Sequence, residues 1–304
     1  MAITRREFTI AGIGTATSLA MGVPALGQRR LMTRAIPSSG EEIPIVGVGT
    51  NRYGVGDDQA ARVPLRESLA RFFEVGGTLI DTAPMYRSSE TVLGDLIADL
   101  AVGEDLFMAT KVDREGPDAI RERFDRSFRL LGLQKVDLMQ CHNLIDWQNA
   151  LPAMRDLKAA GRVRYIGITT SMERQYDQLE QILHAHELDF LQINYSLANQ
   201  RLAAERLLPL AADRGMAVLL NRPFGGGGVF SKLANVDMPD WAADFDCTSW
   251  GQFLLKYALS HPAVTAVIPG MTKVRHVDDN MQAAMGRMPS PELRQRQETF
   301  FDAL

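Results

Sequence analysis

Eight short apolar runs, each followed by a stretch long enough for a helix, restrict the folding of this 304-residue chain more than any other feature. The runs are Pro44–Gly47, Thr78–Asp81, Leu106–Lys111, Val136–His142, Arg164–Ile168, Phe190–Asn194, Ala217–Leu220 and Ala263–Pro269. Short apolar strands alternating with helices predict βαβ units and a parallel sheet buried on both faces. Leu65, Leu69, Phe72 and Phe73 share one helical face, and Ile120, Phe124, Phe128 and Leu131 repeat that spacing. Pro117 and Pro152 mark expected helix starts, where a missing N–H costs little. Eight repeats in one chain favour an α/β fold of the (β/α)8 TIM-barrel type over an open doubly wound sheet. Ahead of them, Thr33–Ile36, the turn Ser38-Ser39-Gly40 and Glu42–Ile45 predict an N-terminal β-hairpin capping the barrel bottom.

The first residues read differently. Thr4-Arg5-Arg6-Glu7-Phe8 precedes an uncharged stretch from Thr9 to Leu26, with the small residues Ala25 and Gly27 at its end. A basic region, an apolar segment and small residues before a cut site form a secretory signal, and the paired arginines fit its twin-arginine version. Residues 1–27 are therefore expected to be an export signal and residues 28–304 one barrel domain. That reading makes the protein exported, with a periplasm as its expected location, the twin-arginine export machinery as a partner and a membrane tether if the signal stays uncut. Lys+Arg number 33 against Asp+Glu 37, a net charge of −4, which disfavours nucleic acid as a partner. Two cysteines make no disulfide framework, and Cys141 is expected to face the helix layer. His184 and His186 lie two apart on a predicted helix and face different ways, so no metal site is expected. A small molecule is the expected ligand, bound by a monomer or weak homo-oligomer.

Barrel chemistry belongs to the C-terminal ends of strands and the loops beyond them. Those positions hold Gly49-Thr50-Asn51, Asp81, Lys111, His142, Thr169-Thr170, Gln192, Asn194 and Asn221-Arg222. A charge closing a buried strand must find a partner or a ligand. Adjacent strands put Asp81 and Lys111 within ion-pair reach, and Tyr86, five residues past Asp81, can fold back over both. A tyrosine hydroxyl titrates near 10 and donates a proton at neutral pH; a neighbouring ammonium lowers that value. With His142 able to orient a carbonyl oxygen, the set suits protonation of a developing oxyanion, as in carbonyl reduction. Lysine is scarce in this chain, which adds weight to Lys111. Lys111 could alternatively serve as a Schiff-base nucleophile, which needs a depressed pKa that Asp81 would oppose.

Asp81-Thr82-Ala83-Pro84-Met85-Tyr86, with Ser89-Glu90 and Leu93-Gly94, resembles the aldo-keto reductase signature. Thr110-Lys111, Asp137 to Asn143, Gly161 to Thr169, Leu191 to Ser196 and Ile268-Pro269-Gly270 through Asn280 continue the likeness in order. The resemblance implies a (β/α)8 barrel that moves hydride between NADP(H), less readily NAD, and a small aldehyde, ketone or alcohol. It implies Tyr86 as general acid, tuned by Lys111 and Asp81, with His142 orienting substrate. Gly49, Thr50 and Asp81 would line the nicotinamide side, and Thr169, Thr170 and Gln192 would meet its carboxamide. Pro223 and the Gly225–Gly228 run after it would let backbone N–H groups approach the pyrophosphate, and Asp279 and Asn280 would reach the adenine. Four positions depart from the family pattern. Asn221 stands where an aromatic ring often stacks. Gly270 and His276 stand where lysine and arginine often meet the 2′-phosphate, leaving Thr272, Lys273 and Arg275 to compensate. Arg87, in place of a glycine, is expected to put a cation at the pocket mouth and, with Arg222, to favour an anionic or sugar-like substrate. A nucleotide-binding redox sensor or partner subunit with little turnover is the alternative from another class.

Overall fold

In the computed structural model, residues 31–304 are described apart from 104, 105 and 200; the export signal read in residues 1–27 lies outside them. Strands β1 (Thr33–Ala35) and β2 (Glu42–Pro44) form the expected antiparallel hairpin. The barrel strands follow: β3 (Val48–Gly49), β4 (Leu79–Asp81), β5 (Phe107–Val112), β6 (Val136–His142), β7 (Val163–Thr169), β8 (Phe190–Asn194), β9 (Ala217–Asn221) and β10 (Ala266–Val267). They pair in chain order, every pair parallel. Between and after them run α1 (Gln59–Glu74), α2 (Ser89–Leu100), α3 (Pro117–Leu131), α4 (Trp147–Ala159), α5 (Tyr176–Ala185), α6 (Leu202–Glu205), α7 (Leu207–Asp213), α8 (Val229–Leu233), α9 (Trp250–Leu259), α10 (Val274–Gln282) and α11 (Pro291–Asp302).

The first and last strands meet and close the (β/α)8 barrel. Gly47 and Gly49 donate to Val267 O and Pro269 O at 2.9 Å each, and Val267 donates to Ile45 O at 2.9 Å. The expected first strand, Pro44–Gly47, is displaced: β3 is Val48–Gly49, just beyond it, and β10 is shorter than the run Ala263–Pro269 suggested. Pro44 ends the hairpin, and neither it nor Pro269 has an N–H for the ladder. Gly49 has a structural reason to be glycine: a Cβ there would stand 2.7 Å from Ile268 O. Pro152 lies inside α4, because that helix starts earlier, at Trp147; Pro117 does open α3.

The apolar core has two parts. Inside the barrel, Leu79, Phe107, Ala109, Leu138, Tyr165, Phe190, Ala217, Leu219, Ala266 and Ile268 pack with Ile36 and Ile43 of the hairpin, which plugs the bottom. Outside it, the helix faces and the outward residues of the strands, Cys141 among them, form the larger cluster. Cys141 and Cys247 are both free and buried, and burial pushes their thiols up to about 12 and about 11. Among the described residues no helix is long and apolar enough to cross a membrane.

Candidate active site

Side chains along a strand alternate between faces. The residues that fill the barrel interior therefore hand over, two positions on, to the residues of its C-terminal rim. Leu79 leads to Asp81, Ala109 to Lys111, Leu138 to Gln140 and His142, and Phe190 to Gln192 and Asn194. The lower members are apolar and the upper members polar, so one periodicity builds both the core and the site.

At the rim, Lys111 Nζ donates to the two Asp81 carboxylate oxygens at 2.8 and 2.7 Å and to Thr82 O at 2.8 Å. Asp81 also accepts from Gln192 Nε2 at 2.9 Å and from Gln140 Nε2 at 3.5 Å. Both side chains of the ion pair are 2% exposed. Burial opposes charge on Lys111, but the Asp81 carboxylate overrides it and holds the ammonium above its ordinary value. This is the reverse of a Schiff-base lysine, which must shed its proton to react.

The Lys111 ammonium lies 5.5 Å from the centre of the Tyr86 ring, which meets His142 edge-on at 6.3 Å between centroids. Burial raises the Tyr86 hydroxyl above its ordinary value; Lys111 pulls it down and Asp81 pushes it up. A net lowering by the ammonium is what the sequence predicts, but desolvation of the phenolate is the larger effect. His142 is pushed down to about 3 by burial and by the Lys111 charge, so both rings are uncharged at neutral pH. His142 Nδ1 has no hydrogen-bond partner among the described residues.

These groups share a cavity of about 780 Å³. Gly49, Thr50, Asp81, Thr169, Gln192, Asn221, Pro223, Gly270, Thr272, Lys273 and His276 line it, as do Tyr86, Lys111 and His142. Four expected residues do not. Thr170 turns away to hydrogen-bond Gln175, whose amide donates to Asn143 O at 2.9 Å. Gly225 sits just outside, in a turn where Gly226 and Gly227 do the lining. Asp279 accepts from Ser249 Oγ at 2.6 Å and Gln252 Nε2 at 2.8 Å, holding the start of α9, and its neighbour Asn280 is buried in α10. Arg87 is exposed and off the lining, whereas Arg222 is on it. Arg52, Ser171 and Phe224 line the cavity without having been singled out. Nor was Gln140, which counting back two residues from His142 would have found.

Backbone strain gathers around this opening. Arg87, Asn143, Leu144, Asp146 and Arg222 all have positive φ, and each lies in a loop at the rim. Gly225, Gly226 and Gly227 follow Arg222 with φ of 58°, 90° and 97°, a run that side chains would resist.

Residues 45–298 match the model of the aldo/keto reductase family. L-galactose dehydrogenase of Arabidopsis thaliana is 27% identical over 287 residues, covering 84% of this chain and 88% of that protein. A methylglyoxal reductase of Escherichia coli is 28% identical over 273 residues, covering 86% and 93%. The crystal structure of an aldo/keto reductase from Klebsiella pneumoniae in complex with NADP and acetate superposes with a TM-score of 0.71 at 25% identity, covering 86% and 93%. A family match over most of the chain, together with an eight-stranded barrel carrying Asp81, Tyr86, Lys111 and His142 on one rim, places this protein in the aldo/keto reductase family as an NAD(P)-dependent oxidoreductase.

Proposed function

We propose that the enzyme transfers hydride between NADP(H) and a small aldehyde or ketone, or the corresponding alcohol, with Tyr86 as proton donor to the carbonyl oxygen. One observation carries this reading: two uncharged donors, Tyr86 and His142, face one cavity beside a buried Lys111–Asp81 pair. The residues present fit a phosphate-bearing nucleotide. Arg52, Arg222 and Lys273 line the cavity, while Asp81, the one carboxylate in its lining, is matched by Lys111. Gln192 Oε1 and Asn221 Oδ1 are buried acceptors without a partner among the described residues, as a carboxamide N–H would require. Gly226 and Gly227 line the cavity with no side chain of their own, the Gly227 N–H donating to Phe224 O at 2.9 Å and the Arg222 guanidinium lying beside Gly226. When bound, the nicotinamide supplies or accepts the hydride. The protein's part is then proton management. Lys111 and Asp81 fix the charge beneath Tyr86, neutral His142 donates to the substrate oxygen, and Tyr86 gives up its proton as charge develops there.

The NADP complex of the Klebsiella relative supports this choice of cofactor, and Thr272 and Lys273, which line the cavity, are the groups that would prefer the 2′-phosphate. The test follows nicotinamide absorbance of the full-length protein with NADPH and NADH against aldehydes, ketones and quinones, beside Tyr86→Phe. Turnover that falls about 10²- to 10⁴-fold in Tyr86→Phe is the expected result. Tight nucleotide binding without turnover in the wild type would favour the sensor reading instead.

We also propose that residues 1–27 direct export of the folded protein by the twin-arginine route. The support is the Arg5-Arg6 pair, Phe8 and the uncharged stretch after it. Cofactor would then be loaded before transport. Cell fractionation of the wild type beside an Arg5→Lys, Arg6→Lys variant tests it: retention of the variant inside the cell is expected, and equal export would overturn it.

A further inference from the structure

Ser89 opens α2, is fully buried and is not part of the cavity lining. Its contacts nevertheless reach three pieces of the site. Its N–H donates to the Tyr86 carbonyl at 3.0 Å, fixing the turn that carries the tyrosine. Its hydroxyl lies 2.9 Å from Thr50 O and 3.0 Å from Thr50 Oγ1, and Thr50 Oγ1 lies 3.0 Å from Asp81 O. The same hydroxyl lies 3.2 Å from Thr82 Oγ1, and the Thr82 carbonyl accepts from Lys111 Nζ at 2.8 Å. Thr50, Thr82 and Ser89 are all fully buried, so their hydroxyls have only one another and the backbone as partners. The next residue adds a fourth tie: Glu90 is 2% exposed and accepts from Thr110 Oγ1 at 2.8 Å, one position before Lys111.

We infer that Ser89 is a positioning residue, whose hydroxyl, through Thr50 and Thr82, sets the placement of the Tyr86 turn relative to Lys111 and Asp81. The physical case is one of satisfaction and reach. A hydroxyl makes at most three hydrogen bonds, and here its neighbours Thr50 and Thr82 follow the ends of β3 and β4, Thr82 standing next to Asp81 and Thr50 bonding the Asp81 carbonyl. The peptide N–H of Ser89 locks the tyrosine turn to α2, and the side chain locks α2 to the ends of β3 and β4. With the hydroxyl gone, Thr50 Oγ1 and Thr82 Oγ1 lose their shared partner in a dry interior, and the turn keeps its own backbone bonds and the bond from Gly56 N–H to the Ser88 hydroxyl, none of which ties it to β4. Small misplacement of an acid–base group is costly: an error of about 1 Å reduces rates on the order of 10²-fold. The inference rests on the proposed role of Tyr86 as proton donor.

The test compares full-length wild type, Ser89→Ala and the near-isosteric Thr82→Val in carbonyl reduction, with Tyr86→Phe alongside. The expected result for Ser89→Ala is a kcat lower by about 10- to 100-fold, with KM and nucleotide affinity within about threefold. The alkaline limb of its kcat profile should move down in pH, because a loosened turn admits water to the Tyr86 hydroxyl. Thr82→Val should move kcat and the limb in the same direction, and the double variant should lose less than the sum of the two. A Ser89→Ala variant with a lower Tm but an unchanged kcat and alkaline limb overturns the inference and leaves the proton-donor reading standing. If Ser89→Ala fails to fold, Thr82→Val decides on the same criteria. A wild type without Tyr86-dependent turnover removes both.

Discussion

At the residue scale, the site depends on which charges are matched and which rings stay neutral. Lys111→Met would leave the Asp81 carboxyl without its cation in a dry interior, with only the Gln192 and Gln140 amides as donors. Breaking a buried pair from one side costs about 3–5 kcal/mol, so denaturant unfolding should show that loss together with loss of turnover. Lysine scarcity alone was an unreliable guide to Lys111. Lys256 is just as buried, yet it donates to Phe245 O, Met285 O and Arg287 O at 2.8, 2.9 and 3.0 Å and serves only to tie segments together. What separates the two lysines is a carboxylate and a cavity, and neither can be read from residue counts.

At the element scale, α2 must lie close to α3 to carry the tyrosine turn where it does. A Cβ at Gly94 would stand 2.2 Å from Leu130 O and 3.0 Å from the Leu131 Cα. Gly94→Ala would therefore push the two helices apart, and overpacking of this kind costs about 1–3 kcal/mol. Thermal unfolding should show a Tm several degrees lower, with kcat falling as the start of α2 shifts. The Gly225–Gly227 turn is a different case. Gly227 has φ of 97° with nothing within 4 Å of a Cβ, so Gly227→Ala meets strain and no clash. About 1–3 kcal/mol of such strain should appear as weaker nucleotide binding, read by fluorescence titration, more than as a lower Tm.

For the whole molecule, two histidines, His142 buried and His261 half-buried, set an acid boundary. His142 is pushed down to about 3, and His261 to about 4 by burial and by Arg294 and Arg34. Both folded-state values lie below the ordinary 6.5, so the unfolded chain binds more protons as pH falls through that range. Their contribution to stability is present above about pH 6.5 and is lost progressively toward pH 3 to 4. Tm should therefore fall between pH 6.5 and 4, and His261→Gln should flatten part of that slope without changing Tm at pH 8 by more than a degree or two. Activity, with both Tyr86 and His142 uncharged at rest, should show no acidic limb near pH 6.5 and should decline only on the alkaline side.

The sequence by itself determined the repeat of eight strands and the hairpin ahead of them, because burial on two faces and a period of two are local properties. It also determined which rim positions are polar, since Asp81, Lys111 and His142 each end an apolar run. Only the tertiary structure decided how short β3 and β10 are, because the ladder that closes a barrel depends on where its ends meet. It alone turned Thr170 and Asp279 away from the cavity toward Gln175 and Ser249, and set Arg52 on the lining where Arg87 had been expected. It also decided the sign at Tyr86. Spacing can place an ammonium near a phenol, but the competing cost of drying that phenol depends on everything packed around it.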